Sequence, residues 1–345
     1  MSGRPLAGTT IVEALSVDCP LALRLAASFA GRIAADLGAI VVKLEPAEGD
    51  PVRRLPPFDK AGRSTLFAFL NAGKRSVLDT PDIAARVTGA ADAVLRDSAR
   101  GVPNGDPVDV VLSMIGERET GPHTEFTILA LGGLLDIVGD PARQPLRLGG
   151  HQLAYSAGLA AYTGLISGLL RRPERETVRV SLLEVAVWIN WKSVANVTAM
   201  GKLSTRAGRA AEWSVVRCQD GYLALVHQPA DWEALRQLCN DPKLDDPRFA
   251  DPQTRAKNAA ALADIVEAAV GHLTRAELQT RAMALRMPLG AVWEIKDLLE
   301  DPQVTSRGFL MLAAAGDSGM LMPRLPVLWN GDAFSPGAVP MEAAV

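Results

Sequence analysis

Residues 32–78 constrain the fold more than any other stretch. Ile33 and Leu37 fall at helical spacing, and Gly38 follows at once. Glycine takes the left-handed conformation that ends a helix at little steric cost. Ile40, Val41 and Val42 then form a short β-branched run, the pattern of a buried strand in a parallel sheet. Pro46, Gly49, Asp50 and Pro51 break that run into a loop. A loop at the carboxyl end of a parallel strand is where open α/β sheets take their ligands. Around it gather Lys43, Arg53 and Arg54, joined by Asn71, Lys74 and Arg75 from the next segment. Such a cluster suits a multiply charged anion, for example the phosphates of a nucleotide. A solvated basic surface is the competing reading.

The flanking chain repeats the alternation. Residues 9–14, 93–95 and 108–114 read as strands. Residues 19–37 read as an Ala-rich helix opened by Pro20, and 80–89 as a helix with Pro81 in its first turn. Strands alternating with helices predict an α/β fold with a parallel, doubly wound sheet. Residues 128–139 and 153–170 read as two further helices, separated by the Pro- and Gly-rich loop PARQPLRLGG. Residues 178–197 begin as a strand and continue as an amphipathic helix. Ser181 is its expected N-cap, with Glu184 completing a capping box. Trp188 and Trp191 lie on its apolar side, which predicts core packing ahead of ligand stacking.

At Leu203 the character changes. A connector containing Gly and Arg leads to a hairpin with Asp220-Gly221 as its turn signal. Helical patterns at 231–239, 258–272 and 275–285 complete a small α+β domain. The expected division is a large Rossmann-like domain over 1–202, a small domain over 203–306, and a return segment over 307–345.

At 345 residues the chain is long enough for two cores. Its net charge of −3 gives no reason to expect nucleic acid or an acidic membrane surface as partner. Three cysteines without a CxxC pair exclude a disulfide framework and offer no zinc spacing, so a reducing cytoplasm is the expected compartment. No apolar signal core follows a basic start. The longest apolar stretch, 153–170, is rich in Gly, Ser, Thr and Tyr and reads as a buried helix rather than a membrane span.

ADLGAIVVKLEP, then GDPVRR, then FLNAGKRSV closely resemble the N-terminal signature of the family III CoA-transferases, also called the CaiB/BaiF family. Formyl-CoA transferase, carnitine-CoA transferase and the 2-methylacyl-CoA racemases belong to it. DPRFADPQTRAKN and DPQVTSRGF are further phrases of the family, and the resemblance runs from about Leu6 to Pro336. It implies a Rossmann-like large domain, a small domain and an interlocked homodimer. It also implies acyl-CoA and a carboxylic acid as substrates, with no covalently bound cofactor. Lys43, Arg53, Asn71, Lys74, Arg75, Leu78 and Arg96 are the positions it marks for CoA. The family's later N-F-x-P-G phrase is degraded here to residues 95–101, where Arg96 and Arg100 stand as phosphate ligands or as solvated arginines.

The family's reaction uses one aspartate as a nucleophile. Its carboxylate takes the acyl group as a mixed anhydride, and CoA returns to give an aspartyl-CoA thioester that the acceptor acid resolves. That aspartate lies at a helix start, four residues before a glycine and after a P-x-R-x-G loop. The loop is PLRLGG, the glycine is Gly158, and the position holds Ala154. A related subgroup reads GGHQAEY where this chain has GGHQLAY. Glu125 aligns with a second family acid, and the racemases' adjoining histidine is replaced by Thr124. His123 and His151 are nearby candidates for acid or base. Glu125 has a structural reading too, as a first-turn carboxylate favoured by the helix dipole. Three functions follow: CoA transfer between acids, a non-catalytic subunit of a heteromeric transferase paired with a catalytic paralogue, or isomerisation or elimination of an acyl-CoA by Glu125 and His151. No G-x-G-x-x-G follows the first strand, which sets a dinucleotide-dependent dehydrogenase low.

Overall fold

The protein is described from a computed structural model covering residues 3–101, 105–116, 121–171, 176–201, 206, 214–225, 228–341 and 343. It divides into two units. The first comprises Met1–Leu135, Arg147–Leu203 and Gln303–Val345; the second comprises Asp136–Leu146 and Ser204–Pro302.

The first unit is built on the predicted alternation. β1 (Thr10–Ala14) leads to α1 (Leu21–Asp36), then β2 (Ile40–Glu45), α2 (Thr65–Asn71) and β3 (Arg75–Leu78). α3 (Pro81–Gly89) returns the chain to β4 (Ala93–Asp97) and β5 (Val108–Ser113). α4 (Glu125–Leu131), α5 (Gln152–Leu170), β6 (Thr177–Ser181), α6 (Leu182–Ile189) and α7 (Trp191–Met200) follow. The six strands form one sheet in the order β3-β2-β1-β4-β5-β6, every pair parallel. Val12 of β1 sits between Val42 of β2 and Val94 of β4 in register. Both faces of β4 and β5 are buried, as in the middle of a parallel sheet covered by helices. Strand order reverses between β1 and β4, so the crevice at their carboxyl ends is the expected ligand position of the sheet.

Gly38 has φ +103° and ends α1 as anticipated. α5 is long and apolar enough to cross a membrane by length and composition alone. Here it packs against α1, α6 and β5. Gly158 is where it meets α1: a Cβ there would lie 2.7 Å from the Ala26 carbonyl oxygen. The small residue permits the close helix approach.

Several local expectations change. The helix predicted over 128–139 spans Glu125–Leu131 instead. Past its end Gly133 takes φ +73°, outside the helical region, and a Cβ at Gly132 would lie 2.5 Å from the Ala186 methyl. The helix predicted to run through Val197 breaks at Asn190, whose amide is drawn onto the Gly132 carbonyl at 3.2 Å. Ser181 does cap α6, accepting from Glu184 N at 3.4 Å. Trp188 and Trp191 are not in the core: they are 75% and 63% exposed. No residue of α7 is buried. Leu182, Val185 and Ala186 of α6 are buried in the main core, whereas Trp188 and the residues of α7 stay outside it.

In the second unit β7 (Ser214–Cys218) and β8 (Gly221–Leu225) form the predicted hairpin. Cys218 faces Gly221, so Gln219 and Asp220 make the turn and Gly221 opens the strand. α8 (Trp232–Cys239), α9 (Pro252–Lys257), α10 (Ala259–Val270) and α11 (Arg275–Ala284) surround a separate core, and β9 (Leu289–Ala291) adds to the hairpin. Residues 136–146 belong here rather than to the first unit. Arg206 draws them in, bonding the Asp136 carboxylate and carbonyl at 2.9 Å and the Asp140 carbonyl at 3.3 Å. Apart from Arg206, the predicted connector over 203–213 lies outside the described residues. The return segment forms β10 (Leu310–Ala315) and β11 (Ser318–Pro323), an antiparallel pair.

Candidate functional site

Two clusters of polar side chains stand out in the first unit. The first lies at the start of α5. Glu125 is the first residue of α4, and Thr124 caps that helix by accepting from Thr127 N at 3.3 Å. The Glu125 side chain leaves its own helix and reaches the N-terminus of α5. There Oε1 accepts from the Ala154 amide at 3.1 Å, and Oε2 meets His151 Nδ1 at 2.8 Å. His151 occupies the N-cap position of α5 but makes no side-chain cap bond, so Glu125 satisfies the orphan N–H in its place. The helix dipole favours the carboxylate there.

With Nδ1 turned to Glu125, Nε2 is the ring atom of His151 left for other partners. Tyr155 and Phe29 flank the pair. Their rings lie 5.0 Å apart, and the His151 ring meets Tyr155 edge-on at 6.5 Å. Burial and the Glu125 charge both raise the Tyr155 pKa. Ala154 is fully buried. Its methyl offers no chemistry; only its amide takes part. His123 lies in the segment just before α4 and is half-buried.

The second cluster is the expected basic loop, and its form corrects the sequence reading. Lys43 is part of β2, not of the loop, and is 1% exposed. Its ammonium pairs with Asp50 at 2.7 Å and Glu13 at 3.3 Å. Lys74, 5% exposed, is bonded to the other Glu13 oxygen, to the Ser28 carbonyl at 2.7 Å and to Asn71 at 3.1 Å. Arg24 holds Asp50 at 3.4 Å and the Ser16 carbonyl at 2.9 Å. Gly31 makes room for this network, since a Cβ there would lie 2.0 Å from Glu13 Oε1.

The network is therefore neither a solvated surface nor a set of free phosphate ligands. It is a buried array of two lysines and an arginine against two carboxylates, and burial demands such pairing. Burial pulls Lys74 down to about 8 against the attraction of Glu13. Burial also opposes the charge on Lys43, but Asp50 and Glu13 outweigh it and hold that pKa above the usual lysine value. Asp50 is brought down to about 2, because Lys43 and Arg24 overcome the desolvation of its carboxylate.

Arg53 is the exposed edge of this region. Its guanidinium clasps Glu45 at 2.7 and 2.8 Å, lies 3.8 Å from the Phe67 ring centre, and donates to the Pro340 and Met341 carbonyls at 3.2 and 2.8 Å. Arg53, Phe67, Pro340 and Met341 line a cleft of about 190 Å³ with Arg63 and Ser64. Arg75 is exposed and Leu78 half-buried on β3. Arg96 also departs from the sequence reading. It is buried in β4 and fully engaged, clasping Asp109 at 2.7 and 2.8 Å and the Arg100 carbonyl at 2.7 Å. Arg100 clasps Asp79 at 2.6 and 2.7 Å.

Sequence reasoning passed over Glu13 and Asp50 as the acids that organise these cations, and over Asp97. Asp97 ends β4 at the switch point, where its carboxylate accepts from Ser16 N at 2.7 Å and Ala99 N at 3.2 Å, besides the Ser16 hydroxyl. One signal was available: Glu13 and Asp97 are acids in or at the end of buried strands, where a charge needs a partner. Among the described residues no group of three or more His, Cys, Asp or Glu is arranged to hold a metal.

The family model described as CoA-transferase family III matches residues 6–102 and 114–341. A succinate–glutarate CoA-transferase of Agrobacterium fabrum is 27% identical over 94% of this chain and 90% of its own length. The alpha subunit of a succinyl-CoA–L-malate CoA-transferase of Chloroflexus aurantiacus is 24% identical over 93% of this chain and 82% of its own. A CaiB/BaiF family protein from Brucella suis has the same fold, with a TM-score of 0.85 over 99% of this chain and 97% of that one at 24% identity.

Proposed function

The chain belongs to CoA-transferase family III, and on that premise we propose that it moves CoA between carboxylic acids with Glu125 as the acyl-accepting carboxylate. The observation that carries this reading is the Glu125–Ala154 contact at 3.1 Å. The family resemblance implies that Ala154 stands at the nucleophile's position. Glu125 brings a carboxylate from another helix to the backbone of that same position.

Bonds and charges balance at each step. A Glu125 oxygen attacks the acyl-CoA carbonyl, the C–S bond breaks, and a glutamyl anhydride and CoA thiolate result. The thiolate attacks the glutamyl carbonyl and expels the first acid, leaving a glutamyl-CoA thioester. The incoming carboxylate attacks that thioester, and thiolate return to its acyl group frees Glu125. The N-terminal amides of α5 favour the negative charge at each addition. Arg53 and Arg75, the cations of the predicted CoA set that reach solvent, are assigned to the CoA phosphates. The buried lysines position the β2 loop that carries Arg53.

A second reading is favoured by the 2.8 Å contact between His151 and Glu125. Glu125 would fix the tautomer of His151, and Nε2 would move a proton at the α-carbon of an acyl-CoA. We further assign the exposed face bearing Trp188 and Trp191 to a homodimer interface, since contiguous apolar surface of this kind marks association. The free state of Cys19, Cys218 and Cys239 supports a reducing, cytoplasmic setting.

The test is peptide mass spectrometry after incubation with acetyl-CoA and hydroxylamine. A hydroxamate at Glu125 that Glu125→Gln abolishes is the expected result. No adduct, with α-proton exchange that depends on His151, favours the second reading. Neither event, with CoA still bound and activity restored only by a second subunit, would make the chain a non-catalytic partner.

A further inference from the structure

The proposed exchange brings a free carboxylate to the start of α5 twice, once as the departing acid and once as the incoming one. At the glutamyl-CoA stage Glu125 is a thioester and carries no charge. The negative charge it held at the helix start must then come from the incoming acid, and an anion held there is favoured by a nearby cation as well as by the α5 amides.

Arg147 is the cation nearest in the chain. It lies in the loop that runs into α5, and its Nη2 donates to the Gly150 carbonyl at 3.5 Å. That carbonyl belongs to the peptide bond with His151, whose Nδ1 meets Glu125 at 2.8 Å. Gly150 takes φ +72°, a left-handed turn that leads the chain into the helix. The donors of Arg147 are open. The residue is exposed, and among the described residues Nε and Nη1 make no hydrogen bond and no carboxylate pairs with the side chain. By contrast Arg24, Arg32, Arg53, Arg96 and Arg100 of the same unit are each paired with an Asp or Glu. A Cβ at Gly149 would meet nothing within 4 Å, so the loop is uncrowded between Arg147 and the helix.

We propose that Arg147 binds the carboxylate of the acceptor acid and presents it to the glutamyl-CoA thioester. Charge-assisted bonds from a guanidinium to a carboxylate are strong and directional, and they select an acid over a neutral nucleophile such as water. Arg147 meets the acid rather than the CoA moiety, so it acts on the second half of the exchange. The inference rests on the transfer reading above, and its test separates the two.

The test supplies the full chain with acetyl-CoA as donor and butyrate as acceptor and follows butyryl-CoA by mass spectrometry. Arg147→Gln should raise the KM for butyrate about tenfold while the KM for acetyl-CoA stays as it was. Arg147→Lys should recover part of the loss. Added salt should weaken butyrate in the unmutated protein and have little effect in Arg147→Gln. An unchanged KM for butyrate, or equal rises in both KM values, overturns the assignment. A parallel readout needs no turnover: butyrate is titrated into the CoA-loaded protein and followed by NMR. Binding that weakens about tenfold in Arg147→Gln supports Arg147 even where no hydroxamate forms at Glu125, and the covalent reading then fails alone. Butyrate binding that Arg147→Gln leaves intact, or no binding to the unmutated protein, overturns the assignment, while a hydroxamate at Glu125 would still uphold the covalent step.

Discussion

Replacing Asp50 by asparagine isolates the buried ion network that underlies the β2 loop. The amide keeps the shape of the side chain and an oxygen for Val52 N, which Asp50 Oδ1 holds at 2.8 Å. It removes the charge facing Lys43 at 2.7 Å and Arg24 at 3.4 Å. Breaking a buried pair costs about 3–5 kcal/mol, and because Glu13 still faces Lys43 the loss should sit near ~3 kcal/mol at neutral pH.

The pH dependence gives a sharper test. The Asp50 pKa falls from 3.8 to about 2 in the fold. Between those values the unfolded chain holds a proton that the native chain does not, so stability rises with pH. The contribution is about 2 kcal/mol, fully present above about pH 5 and lost as pH falls toward about 2. About half should be gone at roughly pH 3. The asparagine side chain of the Asp50→Asn variant cannot titrate, so the gap between the two proteins must narrow by that amount as acid is added. Urea unfolding read through hydrogen exchange of β1 and β2 peptides reports on the first unit by itself. Parallel pH profiles for the two proteins would refute the charge assignment, whatever the size of the constant gap.

Two further outcomes follow from the packing. Gly31→Ala forces a methyl onto Glu13, which two lysines hold in place, so it should destabilise by about 2 kcal/mol despite alanine's better helix propensity; an unchanged urea midpoint would count against the network's rigidity. Trp188→Ser with Trp191→Ser removes apolar surface that is already exposed in the single chain, and should lower the self-association seen by sedimentation velocity while leaving the far-UV circular dichroism unchanged; an unaltered sedimentation coefficient removes that face from the interface.

The parallel sheet was legible because its signals are local. Gly38 before Ile40–Val42, Pro81 after Thr80, and the apolar run over β5 each act within a few residues. Family resemblance added the likeness that the comparisons bear out. What escaped the sequence depends on distant pairs. Lys43 looks like a loop cation until Glu13, thirty positions earlier in the chain, is brought beside it by the β1–β2 register. Arg96 looks solvated until β5 sets Asp109 against it. Trp188 and Trp191 show apolar helical spacing, but spacing cannot say whether the covering surface lies in the same chain.

The start of α5 joins both kinds of information. The family resemblance implies position 154 as the nucleophile's slot, and the sequence has a methyl there. It also marks Glu125 as a first-turn acid whose simplest duty is to cap its own helix. The structure separates those two observations from their obvious readings. Thr124 already caps α4, so Glu125 is released from that duty, and the orphan amide it satisfies is the one at Ala154. Had Ala154 been a carboxylate, two like charges would meet at one helix end, and one pKa would rise. With alanine there, a single carboxylate holds the position together with His151. The methyl at 154 and the acid at 125 thus form one electrostatic arrangement at the start of α5. A second carboxylate introduced by Ala154→Glu should disturb the Glu125–His151 pair rather than simply add to it.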